Sequence, residues 1–159
     1  MTSERLAVIY WDSTALLSFL FKDRHSEQVI KKARQKGVHL LTTLTIAEVY
    51  TVISRIQREQ LLSEILADSL FEALEAGPWS RLNIVPESSA LRELARKWPL
   101  KGSGLWHLAA AKTLQREFPE LMIMTLDSEL ARASRGESLR LVTIKRREPE
   151  GRPGDDNRQ

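Results

Sequence analysis

Three acidic residues have the type and placement needed to bind a metal ion. Asp12 directly follows the apolar run at residues 6–11, Asp127 directly follows the run at 121–126, and Glu48 lies among apolar residues in TIAEVYTVI. Carboxylates brought close together repel one another unless they share a proton or a cation. Hard oxygen ligands suit Mg²⁺ or Mn²⁺, and such an ion lowers the pKa of a bound water and neutralises charge on a phosphate. The three acids therefore point to phosphodiester hydrolysis.

Each acid also has a purely structural interpretation. Asp12 and Asp127 precede helical segments, and aspartate is a favoured helix N-cap, so either could act only as a cap. Glu48 would be costly to bury alone, but it could face solvent. The three together are more informative, because all are predicted at the carboxyl ends of strands, where parallel α/β sheets bind ligands.

The elements that must position these acids alternate along the chain. Apolar runs predict strands at residues 6–11, 38–42, 82–85, 121–126 and 139–144, with the last at an edge of the sheet. Segments with helical periodicity lie between them, so the predicted class is α/β with a central, mostly parallel sheet of about five strands. Gly37 is predicted to end one helix, and Thr43 or Thr45 to cap the next.

Composition limits the chemistry and the setting. The 159 residues contain no cysteine, which excludes disulfides, thiolate zinc sites and cysteine nucleophiles. A net charge of +3 is compatible with nucleic acid as a partner. No apolar run approaches the roughly 18 residues of a membrane span, so a soluble, cytoplasmic protein is predicted. Residues 1–144 are predicted to form one domain and residues 145–159 a polar, disordered tail.

Four segments, taken in order, resemble the motifs of the PIN domain family. IYWDSTALL is similar to the first motif, TTLTIAEVYTVI to the second, LWHLAAA to the helix after the third acidic position, and MIMTLDSELARAS to the fourth. The resemblance extends from about residue 7 to 144. It implies a three-layer α/β/α fold and Mg²⁺- or Mn²⁺-dependent endoribonuclease activity. Many small bacterial and archaeal members are toxins that an antitoxin blocks.

The resemblance also assigns roles to individual residues. It implies that Asp12, Glu48 and Asp127 are the catalytic and metal-binding acids. It further implies that three hydroxyl groups support them: Ser13, Thr45 and Thr125.

One position departs from the family pattern. Where the family commonly has aspartate before alanine-leucine-histidine-leucine-alanine, this chain has Gly104, and no acid lies between Glu93 and Glu117. The alternative function is therefore a weakened or inactive PIN domain that binds RNA or a protein partner without cutting. A third hypothesis, a nucleotide-binding or signalling domain, is disfavoured because no glycine-rich loop follows the first strand.

Several other residues have two interpretations each. His107 could bind metal or phosphate, although a packed histidine is favoured. The basic residues before the helix at 105–116 could contact RNA together with Trp98, or they could form a solvated face; they are Arg92, Arg96, Lys97 and Lys101. Aliphatic residues in the helices at 48–74 suit ordinary core slightly better than a homodimer or antitoxin surface. His25 and His39 are predicted at the surface.

Overall fold

The computed structural model describes residues 6–145. Within them, five strands form one sheet in the order β3-β2-β1-β4-β5, and every neighbouring pair is parallel. The strands are β1 (Ala7–Trp11), β2 (Gly37–Thr42), β3 (Trp79–Leu82), β4 (Met122–Met124) and β5 (Arg140–Leu141). The predicted α/β class, the five strands and the edge position of the last strand are confirmed.

Helices cover both faces of this sheet. They are α1 (Ser13–Leu20), α2 (Ser26–Ala33), α3 (Thr43–Arg58), α4 (Glu64–Glu75), α5 (Ser88–Lys97), α6 (Gly102–Glu117) and α7 (Ser128–Gly136). Alternate residues of β1 point to opposite faces: Ile9 and Trp11 pack with α1–α4, whereas Tyr10 packs with α5–α7. The result is the expected three-layer α/β/α arrangement.

The third strand begins three residues earlier than predicted. The apolar run at 82–85 suggested a strand there, but β3 is Trp79–Leu82, and Val85 is 84% exposed. The indole of Trp79 stacks edge-on against Trp11, with ring centroids 5.0 Å apart, and against Phe19 at 5.3 Å. Burying this large ring against the core favours the earlier register more than the aliphatic run favours the later one.

Two smaller predictions about local structure are wrong. The cap of α3 is Thr42, whose side chain accepts from the N–H of Thr45 at 3.3 Å, rather than Thr43 or Thr45. His39 is buried, not at the surface: it accepts a hydrogen bond from the indole N–H of Trp11 at 3.1 Å, and its other ring nitrogen lies 2.9 Å from the Gln35 carbonyl. Trp11 is 28 residues from His39, so no local pattern signals that contact.

Gly37 does not end a helix, because α2 already ends at Ala33 and Gly37 is the first residue of β2. Its role is close packing, since a Cβ built there would lie 2.5 Å from the carbonyl oxygen of Ala7 on the neighbouring strand.

We therefore expect Gly37→Ala to lower the free energy of unfolding by about 1–3 kcal/mol, the usual cost of overpacking. Gly102→Ala is the control, because no atom lies within 4 Å of a Cβ built there, and it should be neutral or slightly stabilising. Urea unfolding measures both variants. Equal effects at the two glycines would show that the close approach to Ala7 does not matter.

Three aliphatic side chains are exposed around the start of α4: Leu61, Ile65 and Leu66. Ala67 and Leu74 of the same helix are buried, so the helical pair contributes to the core and also leaves an apolar surface uncovered. The predicted tail begins at Lys145, whose backbone exchanges two hydrogen bonds with the side chain of Gln28. The rest of that tail lies outside the described residues. None of the helices at residues 6–145 is long and apolar enough to cross a membrane.

Candidate active site

Asp12 lies at the carboxyl end of the central strand and begins α1 as its N-cap. One carboxylate oxygen, Oδ1, accepts from the N–H of Ala15 at 3.0 Å and from the hydroxyl of Thr14 at 2.7 Å. The other, Oδ2, accepts a short hydrogen bond from the hydroxyl of Thr125, which follows β4. The residue is only 2% exposed. This carboxylate therefore links the ends of β1 and β4, which are neighbours in the sheet.

Burial raises the pKa of Asp12 above its usual value, while the hydrogen bonds from Thr125, Ala15 and Thr14 oppose that rise. Desolvation penalises the charged form, and donors aimed at the oxygens stabilise it. An uncharged N-cap such as asparagine could begin α1 without the cost of desolvating a charge.

Thr14 carries the hydroxyl that sequence analysis missed. Besides donating to Asp12, its Oγ1 accepts from the N–H of Leu126 at 2.8 Å and lies 3.4 Å from Oγ1 of Thr125. Ser13, predicted for this supporting role, is half-buried and makes no such bond within residues 6–145. The only sequence signal was that Thr14, like Ser13, directly follows the acid at a helix start.

Glu48 is oriented by a buried chain of side chains. Its Oε1 lies 2.6 Å from Nε2 of His107, and Nδ1 of His107 lies 2.6 Å from the hydroxyl of Tyr10. These contacts are satisfied when Nε2–H donates to Glu48 and the Tyr10 hydroxyl donates to Nδ1. The Glu48 side chain is 25% exposed, whereas His107 is 3% exposed, so His107 is placed to orient Glu48 and not to touch a large ligand.

We expect Tyr10→Phe to lower the free energy of unfolding by about 1–2 kcal/mol, because it leaves a buried nitrogen of His107 without its donor. Tyr50→Phe is the matched control: its hydroxyl donates to Glu75 at 2.9 Å in an exposed contact, and its loss should cost less than about 0.5 kcal/mol. Chemical denaturation distinguishes the two. A Tyr10 effect no larger than that of Tyr50 would argue against the buried chain.

Thr45 and Asp127 hold the surrounding backbone. Thr45 is fully buried, and its hydroxyl donates to the carbonyl of Trp11 at 3.3 Å, so it fixes the strand end beside Asp12 without touching a carboxylate. Asp127 lies three residues after the end of β4. Its Oδ1 caps α7 by accepting from the N–H groups of Glu129 and Leu130 at 2.8 and 3.2 Å. Its own N–H donates to Thr125, which also donates to Asp12.

Gly104 is the third residue of α6, so it lies in the first turn of that helix and not in the preceding loop. Among the described glycines none has a positive φ, and a Cβ at Gly104 would be 3.7 Å from the Cβ of Leu100, an ordinary contact. The backbone at this position accepts an L side chain without strain.

The sequence matches the PIN domain family over residues 9–136. The chain belongs to the PIN domain family. The matched region extends from within β1 to the end of α7, and it contains Asp12, Glu48 and Asp127. No match was found among curated proteins.

Solved structures of three proteins are similar in fold. VapBC2 from Rickettsia felis, bound to a DNA fragment from its promoter, has a TM-score of 0.62 at 10% identity, covering 87% of this chain and 99% of the other. FitAcB from Neisseria gonorrhoeae has a TM-score of 0.61 at 17% identity, covering 86% and 97%. PAE2754 from Pyrobaculum aerophilum has a TM-score of 0.58 at 21% identity, covering 89% and 92%.

The donors of this PIN domain fit Mg²⁺ or Mn²⁺ by type, since all three candidate ligands are carboxylates. Within residues 6–145, however, no three His, Asp or Glu side chains are gathered as a ready metal cage. Mg²⁺ is commonly held by one or two carboxylates together with waters and substrate phosphates, so a full cage is not required. Burial is the main cause that raises the pKa of Tyr10, and the charges of Asp12 and Glu48 raise it further. Both acids therefore lie close to the Tyr10 side chain.

The basic group before α6 is partly committed to structure. Lys97 pairs with Glu93 at 3.4 Å and with Glu137 at 3.6 Å. Trp98 donates its indole N–H to Glu137 at 3.2 Å, and its ring packs so closely on Gly136 that no room is left for a Cβ there. This ring is therefore not free to stack on a base. All four cations are exposed, and three of them form no ion pair within residues 6–145: Arg92, Arg96 and Lys101.

Proposed function

We propose that this PIN domain is a metal-dependent endoribonuclease, the toxin of a toxin–antitoxin pair, that hydrolyses RNA phosphodiester bonds with Mg²⁺ or Mn²⁺. The observation that carries the proposal is the buried Asp12, held by three donors at the carboxyl edge of the sheet. Burying a carboxylate is costly, and a fold keeps such a group mainly where its charge is used. Glu48 supports the same conclusion, because His107 holds it in place from inside the core.

Each residue has a distinct part in this proposal. Asp12, Glu48 and Asp127 would hold the ion, which supplies an activated water and neutralises charge on the phosphate. Thr14 and Thr125 keep the carboxylate of Asp12 in one orientation. Water attack at phosphorus would break the bond to the 3′ oxygen, leaving a 5′-phosphate on one product and a 3′-hydroxyl on the other.

An antitoxin and a second copy of the chain are the proposed protein partners. VapBC2 and FitAcB, which share the fold, are toxin–antitoxin complexes. The exposed side chains of Leu61, Ile65 and Leu66 give the chain an uncovered apolar surface on which such a partner could dock. A cytoplasmic location is proposed, since RNA would be the substrate.

A PIN domain that binds RNA or a protein without cutting is the second candidate. Gly104 favours it, because the family's third acid is absent and no carboxylate among residues 6–145 replaces it in a three-ligand cluster. Both candidates share the fold and the Asp12 environment, so only activity separates them.

The deciding experiment is a cleavage assay on a panel of RNAs during titration with Mg²⁺ and Mn²⁺, using Asp12→Asn as the inactive reference. The nuclease proposal expects cleavage that depends on the metal and is lost in the variant. RNA binding without cleavage at any metal concentration would support the second candidate instead. Cleavage that persists in EDTA or in the variant would indicate contamination or a different mechanism.

A further inference from the structure

A cleft of about 530 Å³ adjoins the acidic site on the β4–β5 side of the sheet. Its wall includes the segment before α2, the loop from β4 to α7 and the segment after β5. The residues used in the argument below are Arg24, His25, Thr125, Asp127 and Arg135. A volume of this size lies in the range of about 300–1,000 Å³ that is usual for ligand sites.

This cleft borders the proposed catalytic centre. Thr125, which lines it, donates its hydroxyl to Asp12, and Asp127, which also lines it, is one of the three candidate metal ligands. A polymer bound across the centre would therefore extend into the cleft at one end. A substrate no larger than one phosphate would leave most of the cleft unfilled.

The charges in the cleft suit an anion. Arg24 and Arg135 are both exposed, and neither forms an ion pair within the described part of the chain. Asp127 is the one carboxylate among the lining residues. Two unpaired guanidinium groups beside a single acid give a local excess of positive charge, which attracts a phosphate.

Arg24 is also oriented for such a contact. Its Nε donates to Nε2 of His25 at 3.1 Å, so the side of the guanidinium at Nε is already occupied. The two terminal nitrogens remain available, and a pair of parallel N–H groups matches two oxygens of a phosphate. Apolar residues complete the wall, among them Leu126, Leu141 and Val142, which give a base or a ribose a surface to pack on.

We propose that this cleft binds the backbone of single-stranded RNA next to the cleaved bond, with Arg24 and Arg135 each contacting a phosphate. The inference rests on the proposed function, because it places the substrate strand of that same site. It assigns the strand to the β4–β5 side, whereas the exposed cations Arg92, Arg96 and Lys101 lie before α6 and do not line the cleft.

The test measures binding of a short fluorescent single-stranded RNA by anisotropy, in EDTA, across a range of salt concentrations. We expect the double variant Arg24→Ala/Arg135→Ala to bind about tenfold more weakly at low salt. The slope of log affinity against log salt should become shallower by about 1.4, because each phosphate contact on a single strand contributes about 0.7. Both side chains are exposed, so the variant should fold, which circular dichroism verifies.

Arg132→Ala is the matched control, since Arg132 lies on α7 near Arg135, is exposed and does not line the cleft. Its salt slope should match that of the parent. An equal loss in the control, an unchanged slope in the double variant, stronger binding to duplex DNA or no RNA binding at all would each overturn the cleft assignment. RNA binding that depends on Arg24 and Arg135 without any cleavage would uphold the cleft and refute the nuclease proposal. Cleavage by the parent together with an unchanged salt slope in the double variant would uphold the nuclease proposal and refute the cleft assignment.

Discussion

Replacing Asp12 with asparagine will lower the rate of RNA cleavage by about 10²–10³-fold, a loss of the size seen when one group that stabilises charge in a transition state is removed. The same change will raise the melting temperature. The carboxylate is 2% exposed, and its burial raises its pKa, so the ionised form is disfavoured in the folded protein. Asparagine keeps an oxygen for Ala15 and Thr14 and removes the charge. A gain of about 1 kcal/mol would raise the melting temperature by about 2–4 °C.

The pH dependence follows from the direction of this pKa shift. The pKa of Asp12 in the folded protein is above its unfolded value of about 3.9. At a pH between these two pKa values, Asp12 is therefore protonated more often in the native state than in the unfolded state. The contribution of Asp12 to the free energy of unfolding of the parent protein therefore falls as pH rises through that window. The advantage of Asp12→Asn should be absent below the unfolded pKa, grow through the window and then stay constant.

Asp23→Asn is the matched control. Slight burial raises the pKa of Asp23, but hydrogen bonds from the Ser18 hydroxyl and the His25 N–H lower it, and the net effect is a lowered pKa. Removing this charge should leave cleavage unchanged and make the protein equally or less stable at neutral pH. Thermal melts at several pH values and single-turnover cleavage assays measure both variants. A lower melting temperature for Asp12→Asn at neutral pH would contradict the idea that the buried charge is costly.

Introducing aspartate at Gly104 will raise the affinity for Mn²⁺ by about tenfold or more and increase cleavage. The position is in the first turn of α6, where an acidic side chain is favoured by the helix dipole. The backbone does not require glycine, since its φ is negative and the new Cβ would meet only Leu100 at 3.7 Å. Gly104 lies one turn before His107, whose ring contacts Glu48, so an added carboxylate is introduced on the side of α6 that carries this contact. It would repel the other acids in the metal-free protein and attract the cation more strongly.

Two controls separate a new ligand from a general charge effect. Gly102→Asp adds the same charge two residues earlier on α6, in open space, and should leave Mn²⁺ affinity within about twofold. Gly104→Asn fills the same space without the charge and should resemble the parent. Isothermal titration with Mn²⁺ provides the comparison. If Gly104→Asp folds normally and binds Mn²⁺ no better than Gly102→Asp, Gly104 does not correspond to the family's missing acid.

The sequence predicted the elements whose signals are local. The run before Asp12, the helix predicted at residues 105–116 and the alternation of strands and helices depend on burial patterns within single segments, and all are present. The start of β3 was missed because its register is fixed by the ring of Trp79 packing on Trp11, a contact between distant segments.

In the candidate site, too, residues with a local sequence signal were predicted, and residues defined by contacts between distant segments were not. Asp12 and Asp127 were recognisable from their places at helix starts, where both act as caps. Thr14 was not recognisable, because the residues that its hydroxyl contacts, Thr125 and Leu126, are 111 and 112 residues away in the sequence. The pairing of Glu48 with His107 joins α3 to α6, and no spacing within either helix predicts it.

The central position of β1 has a consequence for how the protein is made. Asp12 and the hydroxyl of Thr125 that holds it are 113 residues apart, and β1 can pair with β4 only after the chain between them exists. At about 5–20 residues per second, a ribosome needs roughly 5–25 s to synthesise that stretch. During this interval one edge of β1 has no partner strand, and Asp12 lacks its strongest donor. We expect the nascent chain to be without a finished catalytic centre until nearly the whole domain has been synthesised.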